Sequence, residues 1–151
     1  MFQTVKVIVL RFVDYKEASR ILTVLTEKGE KLTVTAHSRG GFAEPFACSE
    51  MTLQSSRGKW YLREAATITE FIGLRTSYEK FELAAYMSKT AETIADSDVP
   101  DPNLFRLLAR GFDTLAKIGA DETDAFQTAF ESRIADIAGF ASFEEIREHL
   151  I

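Results

Sequence analysis

The first half of the chain contains five short runs rich in Val, Ile, Thr and aromatic residues, several of them alternating apolar and polar positions. The runs cover residues 5–13, 21–26, 31–36, 51–55 and 60–72. β-Branched and aromatic side chains and a two-residue period are typical of half-buried strands, so each run predicts a strand. A polar connector at residues 14–20 joins the first two, and a Gly-containing turn at 56–59 precedes the last. The fifth strand is long enough to bend once near residues 65–66.

Five strands within about 75 residues match the size of a small closed barrel such as the OB-fold. Closure would also remove the unpaired edges that five short strands otherwise leave exposed. The spacing of the strands does not exclude an SH3-like barrel, which is the main alternative topology. We predict a five-stranded OB-fold barrel at residues 1–75, with a loop at 38–49 between its third and fourth strands.

The apolar period changes from 2 to 3.6 after Gly73, which predicts helices in the second half of the chain. Residues 76–79, Thr-Ser-Tyr-Glu, form a capping box with Thr76 as the N-cap of the first helix. Its predicted inward stripe consists mostly of small residues: Phe81, Ala84, Ala85, Ser88, Ala91 and Ala95. We expect this helix to stop near Asp96.

Two more helices and a short last one follow. Asp101 and Pro102 supply an N-cap and a first-turn proline for the second helix, which ends at Gly119. The third begins at residues 121–124 and places Gly139 at its C′ position. A capping box at residues 142–145 opens the last helix. The predicted inward residues of helices two and three are Leu104, Leu108, Phe112, Leu115, Phe126, Phe130, Ile134 and Ile137. The sequence thus predicts a two-part α+β protein, with a small α-helical bundle at residues 76–151.

The composition is that of an ordinary globular protein, with 46% hydrophobic and 27% charged residues. No apolar run approaches the roughly 18 residues that a membrane helix needs. The N-terminus lacks the regions of a signal peptide, so we expect a cytoplasmic protein. A single cysteine, Cys48, cannot form an internal disulfide or a multi-thiolate zinc site. His37 and His149 are too few for a metal cluster, and no metal or cofactor is predicted.

The net charge of −5 is unevenly divided between the two halves. Residues 1–76 carry 11 Lys+Arg against 8 Asp+Glu, whereas residues 77–151 carry 7 against 15. A basic half and an acidic half indicate different binding roles. Composition drift between a β half and a helical half explains the same numbers.

Catalytic residues cannot be assembled into a recognisable site. The sequence has no phosphate-binding Gly-rich loop, no G-x-S-x-G elbow and no H-E-x-x-H pair. The carboxylates of the second half fall at the caps and outer faces of the predicted helices. We therefore expect a protein that is not an enzyme.

Basic residues gather at the bends of the predicted barrel, together with aromatic side chains. The candidates for binding DNA are Arg11, Lys16, Arg20, Arg39, Arg57, Lys59, Trp60 and Arg63. Cations neutralise phosphates while aromatic faces stack on unpaired bases, the combination that single-strand binders use. Trp60 is equally a candidate core residue, and an ordinary solvated surface explains the charges as well.

A second basic group lies in the predicted second helix. Arg110 and Lys117 follow Arg106 by 4 and 11 positions, offsets that return to within about 40° of the start, so the three share one face. A basic strip beside a Phe-rich bundle predicts a site for an acidic, hydrophobic peptide tail. A plain solvated face is the alternative.

Four stretches of the chain resemble the bacterial RecO recombination-mediator family. Residues 8–32, IVLRFVDYKEASRILTVLTEKGEKL, are similar to that family's opening pattern. Glu44-Pro45-Phe46 is similar to its Q-P-F motif before strand four. Residues 102–108, PNLFRLL, and residues 129–133, AFESR, leading to Gly139 and Phe140, complete the resemblance. The four occur in order along nearly the whole chain.

The resemblance implies an OB-fold followed by a helical domain. It further implies binding of single- and double-stranded DNA, annealing of complementary strands, and joining with RecR. With RecR such proteins help load RecA onto DNA coated by single-strand-binding protein, whose acidic tail the helical domain recognises. The match at Arg11 and, more loosely, at Arg39 implies that these two residues bind DNA.

The chain departs from the family pattern in two places. The Lys-Gly-x-Arg-Arg loop usual after strand three is replaced by the less charged residues 37–41, so we expect weaker DNA binding. The 151 residues also lack the four-cysteine zinc module that many members carry. The contrasting hypothesis is a protein-interaction adaptor, in which the barrel is a scaffold and the helical half binds a peptide.

Overall fold

The computed structural model describes residues 1–97, 99–139 and Glu144. The strands are β1 Phe2–Tyr15, β2 Ser19–Thr26, β3 Lys31–Ala36, β4 Cys48–Ser56 and β5 Lys59–Thr69. The helices are α1 Tyr78–Ser97, α2 Pro102–Lys117 and α3 Thr123–Ala138. Short 3-10 turns lie at Gly41–Ala43, Ile72–Arg75 and Ala120–Glu122.

The five strands close into a barrel in the order β1-β2-β3-β5-β4. β1 is long enough to pair antiparallel with β2 along its second half and with β4 along its first half. The barrel closes through a short parallel contact between β3 and β5, where Val34 faces Trp60 and Thr35 faces Tyr61. This is the predicted OB-fold, and the SH3-like alternative is wrong.

The strands differ from the prediction mainly at their ends. β1 extends from residue 2 to residue 15, beyond the predicted 5–13. β5 ends at Thr69 instead of continuing to residue 72, because Phe71 takes a left-handed conformation with φ 49°. The irregular positions of β5 fall at Arg63 and Ile68, where the register with β4 shifts, and not at residues 65–66. Such bulges bend a strand locally and increase its twist.

β1 is apolar on both faces because it contributes to two cores. Val5, Val7 and Val9 point into the barrel interior, where they are fully or almost fully buried. Ile8 and Leu10 point outward and pack against the helices. The core that contains Ile8 and Leu10 also contains residues of the three helices, so the barrel and the helical part pack directly against each other. The predicted boundary at residue 75 stays a prediction.

Aromatic rings fill the junction between barrel and helices. The ring of Phe46, from the loop before β4, meets the rings of Phe81 and Phe112 at centroid distances of 5.2 and 5.3 Å. Phe71 meets Phe112 at 5.7 Å. All three pairs are edge-to-face, the arrangement that aromatic quadrupoles favour. The loop that precedes β4 thus packs against α2 through Phe46.

The predicted capping box at Thr76 is wrong by one residue. The N–H of Lys80 donates to the side-chain oxygen of Ser77 at 3.1 Å, so Ser77 caps α1. The hydroxyl of Thr76 instead donates to the carbonyl of Gly73, within the preceding 3-10 turn. Glu79 does not return to the cap, because its carboxylate accepts a hydrogen bond from Thr123 of α3.

The predicted stripe of α1 is also partly wrong. Ala84, Ser88 and Ala91 are buried as expected, but Phe81 and Ala85 are exposed. Leu83, Met87 and Ile94 are buried in their place. α1 packs against α2, α3 and the barrel, so its buried face is wider than one stripe and rotated from the predicted one.

The other two helices start where predicted, but α2 ends at Lys117 and not at Gly119, which instead precedes the 3-10 turn at Ala120–Glu122. Of the predicted inward residues of α3, Phe130 and Ile134 are buried, whereas Phe126 and Ile137 are half-buried. The N–H of Asn103 donates to Asp101 at 2.9 Å, which confirms the N-cap of α2. Its four predicted inward residues are all buried. Gly139 ends α3 with φ 77°, as expected of a C′ glycine. The predicted last helix at residues 142–149 lies outside the described residues apart from Glu144. Within the described part of the chain, no helix is both long and apolar enough to cross a membrane.

Candidate nucleic-acid interface and peptide groove

Three of the predicted DNA-binding cations lie together at the β4–β5 hairpin and along β5. Arg57 and Gly58 form its two-residue turn, both with positive φ, as in a type I′ turn. Trp60 and Leu62 pack against the barrel interior. Alternation therefore directs Lys59 and Tyr61 outward, and Arg63 is exposed at the following bulge. We call Arg57, Lys59, Tyr61 and Arg63 the β5 surface.

No cation of the β5 surface forms an ion pair with a carboxylate of the described residues. Arg57 and Lys59 are exposed and make no ion pair there. The Nε–H of Arg63 donates to the side-chain oxygen of Gln54, a neutral partner on β4. Glu64 is the next residue along β5 and is also exposed. The phosphates of a nucleic acid can therefore bind these cations without first breaking ion pairs within the protein.

The two adjacent aromatic residues Trp60 and Tyr61 make different contacts. The indole of Trp60 is half-buried and packs against the barrel core. The ring of Tyr61 instead stacks with the ring of His37, at a centroid distance of 6.2 Å and an interplanar angle of 18°. Sequence spacing does not reveal this pair, since it depends on the parallel contact between β3 and β5.

Arg20 and Arg39 form a second group at the bend between β1 and β2, and both bind Asp14. The Arg20 guanidinium donates to Asp14 at 3.0 Å, to Glu44 at 3.3 Å and to the carbonyl of Ala43 at 3.1 Å. It also lies 3.8 Å from the centre of the Phe12 ring. Only 11% of the side chain is exposed.

Arg39 and Lys16 are more open than Arg20. Arg39 reaches Asp14 at 3.2 Å with 39% of its side chain exposed. The ammonium of Lys16 lies 5.1 Å from the centre of the Tyr15 ring. Two arginines here share one carboxylate, so part of the positive charge at this bend is already compensated within the protein.

Arg11 stands apart from both groups, at the junction with α1. Its Nε and Nη2 donate to the two oxygens of Glu92 at 2.9 and 3.0 Å. Lys31 reaches the same carboxylate at 3.4 Å and Asp96 at 2.6 Å. The hydrogen bond with Arg11 lowers the pKa of Glu92 below its ordinary value, against the opposing effect of burial. The same bond raises the pKa of Arg11. Glu92 could not have been found from the sequence, since its partners come from two strands.

The eight predicted DNA-binding residues thus do not form one cluster. Arg57, Lys59 and Arg63 lie along the β4–β5 hairpin and β5. Arg20 and Arg39 are joined through Asp14, two residues before Lys16. Arg11 is engaged by α1. Their contacts with DNA stay predictions, but only the first group offers several cations without carboxylate partners among the described residues.

A groove of about 540 Å³ lies between α2 and α3, and residues of both helices line it. Its apolar lining includes Leu107, Phe126, Phe130 and Ile137, of which Phe130 is buried and the others are half-buried. Gly111 of α2, which also lines the groove, leaves room for Met87 of α1, because a Cβ at this position would come within 2.7 Å of the Met87 methyl group.

Three exposed arginines line this groove: Arg106, Arg110 and Arg133. The first two belong to the predicted basic strip. Lys117, the third predicted member, pairs with Asp113 at 3.1 Å and does not line the groove. Arg133 was missed, although it follows Phe126 and Phe130 by seven and three positions, which places it on the same face of α3. The exposed carboxylate of Asp136 also lines the groove, so three arginines face one acidic side chain at its rim. An apolar floor with a rim of net positive charge suits an acidic peptide with hydrophobic side chains.

Two family models of the same protein match this chain, one over the barrel and one over the helical part. Residues 1–71 match the family model described as Recombination protein O N terminal. Residues 75–142 match the model described as Recombination protein O C terminal.

Several curated proteins named DNA repair protein RecO are similar to this chain. The protein of Desulforudis audaxviator is 32% identical over 146 residues, which cover 92% of this chain and 57% of that protein. The protein of Geobacter metallireducens is 30% identical, with 88% and 57% covered. That of Rubrobacter xylanophilus is 29% identical, with 89% and 56% covered. The chain therefore spans a little over half the length of these relatives.

Proposed function

We propose that this chain, which belongs to the recombination protein O (RecO) family, is a non-catalytic DNA-binding mediator of recombinational repair. In this proposal the barrel binds single-stranded DNA, and duplex DNA as well, and helps to anneal complementary strands. The helical part binds the acidic tail of single-strand-binding protein. Together with RecR, the protein assists the loading of RecA onto the coated strand.

The β5 surface is the observation that carries the DNA-binding part of this proposal. Its three cations lie on or next to one strand, and none is paired with a described carboxylate. Phosphate neutralisation releases counterions from DNA, which makes binding favourable and dependent on salt. If each of the three cations neutralises one phosphate of a single strand, log K should fall with log salt at a slope of about −2.

A charge-reversal experiment tests this assignment. We expect Lys59→Glu with Arg63→Glu to weaken binding of a labelled oligonucleotide by at least about tenfold at moderate salt, and to flatten the salt slope. The matched control is Lys28→Glu with Lys89→Glu, which changes the net charge equally at two exposed lysines off the β5 surface. Fluorescence anisotropy at several salt concentrations measures both quantities.

Two results would reject the assignment. Equal losses in the two double variants would mean that net charge alone governs binding. A salt slope near zero for the unmodified protein would mean that phosphate contacts do not supply the affinity.

The groove between α2 and α3 supports the second part of the proposal. Hydrogen bonds to charged groups contribute about 1.5–3 kcal/mol, so each arginine that meets a peptide carboxylate accounts for at least roughly tenfold in affinity. We expect Arg106→Glu with Arg110→Glu to abolish measurable binding of a synthetic tail peptide from single-strand-binding protein. Arg133→Glu alone should weaken it about tenfold.

Lys117→Glu is the control for these variants, because Lys117 lies on the same helix outside the groove. Isothermal titration calorimetry provides the affinities. Unchanged peptide binding in the Arg106/Arg110 variant would reject the groove as the site. Strong peptide binding by a protein that binds no DNA would favour the adaptor hypothesis.

A further inference from the structure

The outer face of the barrel carries an aromatic pair that serves neither of the two cores. Tyr61 is absent from the residues packed in the barrel interior, where its neighbours Trp60 and Leu62 lie. Because Thr35 faces Tyr61 in the parallel β3–β5 contact, His37, two residues beyond Thr35, lies on the same side of the sheet. The two rings are nearly parallel, as expected for a stacked pair.

The pair is held in place from the β2 side. The Nδ1 atom of His37 lies 3.0 Å from the hydroxyl of Ser19, a residue at the start of β2 that is 9% exposed. This hydrogen bond fixes the orientation of an otherwise exposed imidazole ring. The stacked rings therefore form an ordered aromatic surface at the position where β3 meets β5.

Cations flank the aromatic pair along the same strand. Lys59 lies two residues before Tyr61, so their Cα atoms are about 7 Å apart. Arg63 follows Tyr61 by two residues, at the bulge of β5. Gln54, which accepts the Arg63 Nε–H, is the residue directly opposite Tyr61 on β4. The guanidinium of Arg63 is thereby drawn toward the tyrosine. An aromatic surface between two cations matches one base with a phosphate on either side.

We propose that Tyr61, supported by His37, stacks on one unpaired nucleobase while Lys59 and Arg63 bind the adjacent phosphates. The inference rests on the proposed DNA-binding function and deepens it, since it names the side chains that would distinguish an unpaired base from a duplex. In a duplex both faces of each base are covered by its neighbours, so the ring can stack only on a base that has left the stack. Base stacking on an aromatic side chain is worth about 1–3 kcal/mol per base.

The test compares three labelled ligands: an oligothymidylate, an abasic strand of equal length and a duplex. A length of about 20 nucleotides exceeds the roughly 4–16 nucleotides that one OB-fold covers. We expect Tyr61→Leu to weaken oligothymidylate binding about 5- to 150-fold. Binding of the abasic strand and the duplex should change by less than about twofold. Tyr61→Phe, which keeps the ring, should bind all three like the unmodified protein.

His37→Ala is a second variant at an exposed position, which keeps the test decisive if Tyr61→Leu does not fold. It should weaken oligothymidylate binding selectively, by a smaller factor. Equal losses on all three ligands, or no loss on any, would overturn the stacking site. In either case DNA binding by the unmodified protein would leave the proposed function standing. Failure of the unmodified protein to bind any of the three ligands would reject both.

Discussion

Arginines that look equivalent in the sequence have very different surroundings. Arg20 is almost covered and holds two carboxylates and a carbonyl, whereas Arg57 stands exposed at the tip of a hairpin. Arg11 and Arg39, to which the family resemblance assigns DNA binding, are each paired with a carboxylate. A phosphate would have to compete with those partners, which reduces the gain from binding there.

Arg20 should therefore matter more for stability than for DNA binding. We expect Arg20→Ala to lower the free energy of unfolding by about 1–2 kcal/mol, because Asp14, Glu44 and the Ala43 carbonyl lose a donor and the Phe12 ring is uncovered. Urea denaturation measures the change. Lys16→Ala, at the same bend, should change it by less than about 0.5 kcal/mol. Equal effects of the two substitutions would contradict the structural role of Arg20.

Two functional candidates at this scale were not among the residues predicted from the sequence. Tyr61 directly follows the candidate Trp60, but its stacking partner His37 comes from the segment that follows β3. Arg133 lies on α3 across the groove from Arg106 and Arg110. Both depend on which elements become neighbours, a property that residue spacing within one element does not contain.

Elements whose ends are set by local chemistry were predicted well. Asp101 caps α2 with its own side chain, and Gly139 ends α3 because glycine adopts a left-handed conformation without steric penalty. The turn at Arg57 and Gly58 likewise depends on two consecutive residues. Such signals act over a few positions, so the sequence shows them directly.

The failures at the element scale arise where distant residues compete for the same group. Glu79 was expected to complete a capping box but accepts a hydrogen bond from Thr123 of α3. The predicted stripe of α1 missed Leu83, Met87 and Ile94, because three different neighbours surround that helix. A single helical stripe describes a helix with one buried face, and α1 has more than one.

At the scale of the whole molecule, an ion-pair network fastens the barrel to α1. Glu92 on α1 binds Arg11 from β1 and Lys31 from β3, with 16% of its side chain exposed. Asp96, one turn later, also binds Lys31. Leu10 from the barrel and Leu83 from the helix belong to the apolar core behind this network.

The network predicts an acid-dependent contribution to stability. The pKa of Glu92 is lowered in the folded state. Its contribution is therefore complete above the unfolded pKa of about 4.3 and is lost as the pH falls through the lower folded value. We expect Glu92→Gln to reduce the free energy of unfolding by about 1 kcal/mol near neutral pH. The difference from the unmodified protein should shrink in acid.

Urea denaturation at about pH 7, 5 and 3 provides this comparison. Glu17→Gln serves as the control, since Glu17 is exposed at the β1–β2 bend and has no ion pair with a described residue. A Glu92→Gln difference that stays constant with pH would show that the charge of this carboxylate does not stabilise the junction.

The order and type of the elements follow from the chain alone, because period, β-branching, caps and turn glycines act within a few residues. Five strands, a change of period after Gly73 and most of the apolar face of α2 were readable in this way. The closed barrel decided the rest. Barrel closure and the packing of α1 against it stack Tyr61 on His37 and pair Arg11 with Glu92. At the bend between β1 and β2, Asp14 forms ion pairs with two arginines. Those pairings join residues far apart in the chain, and only the packing of whole elements brings their side chains within bonding distance.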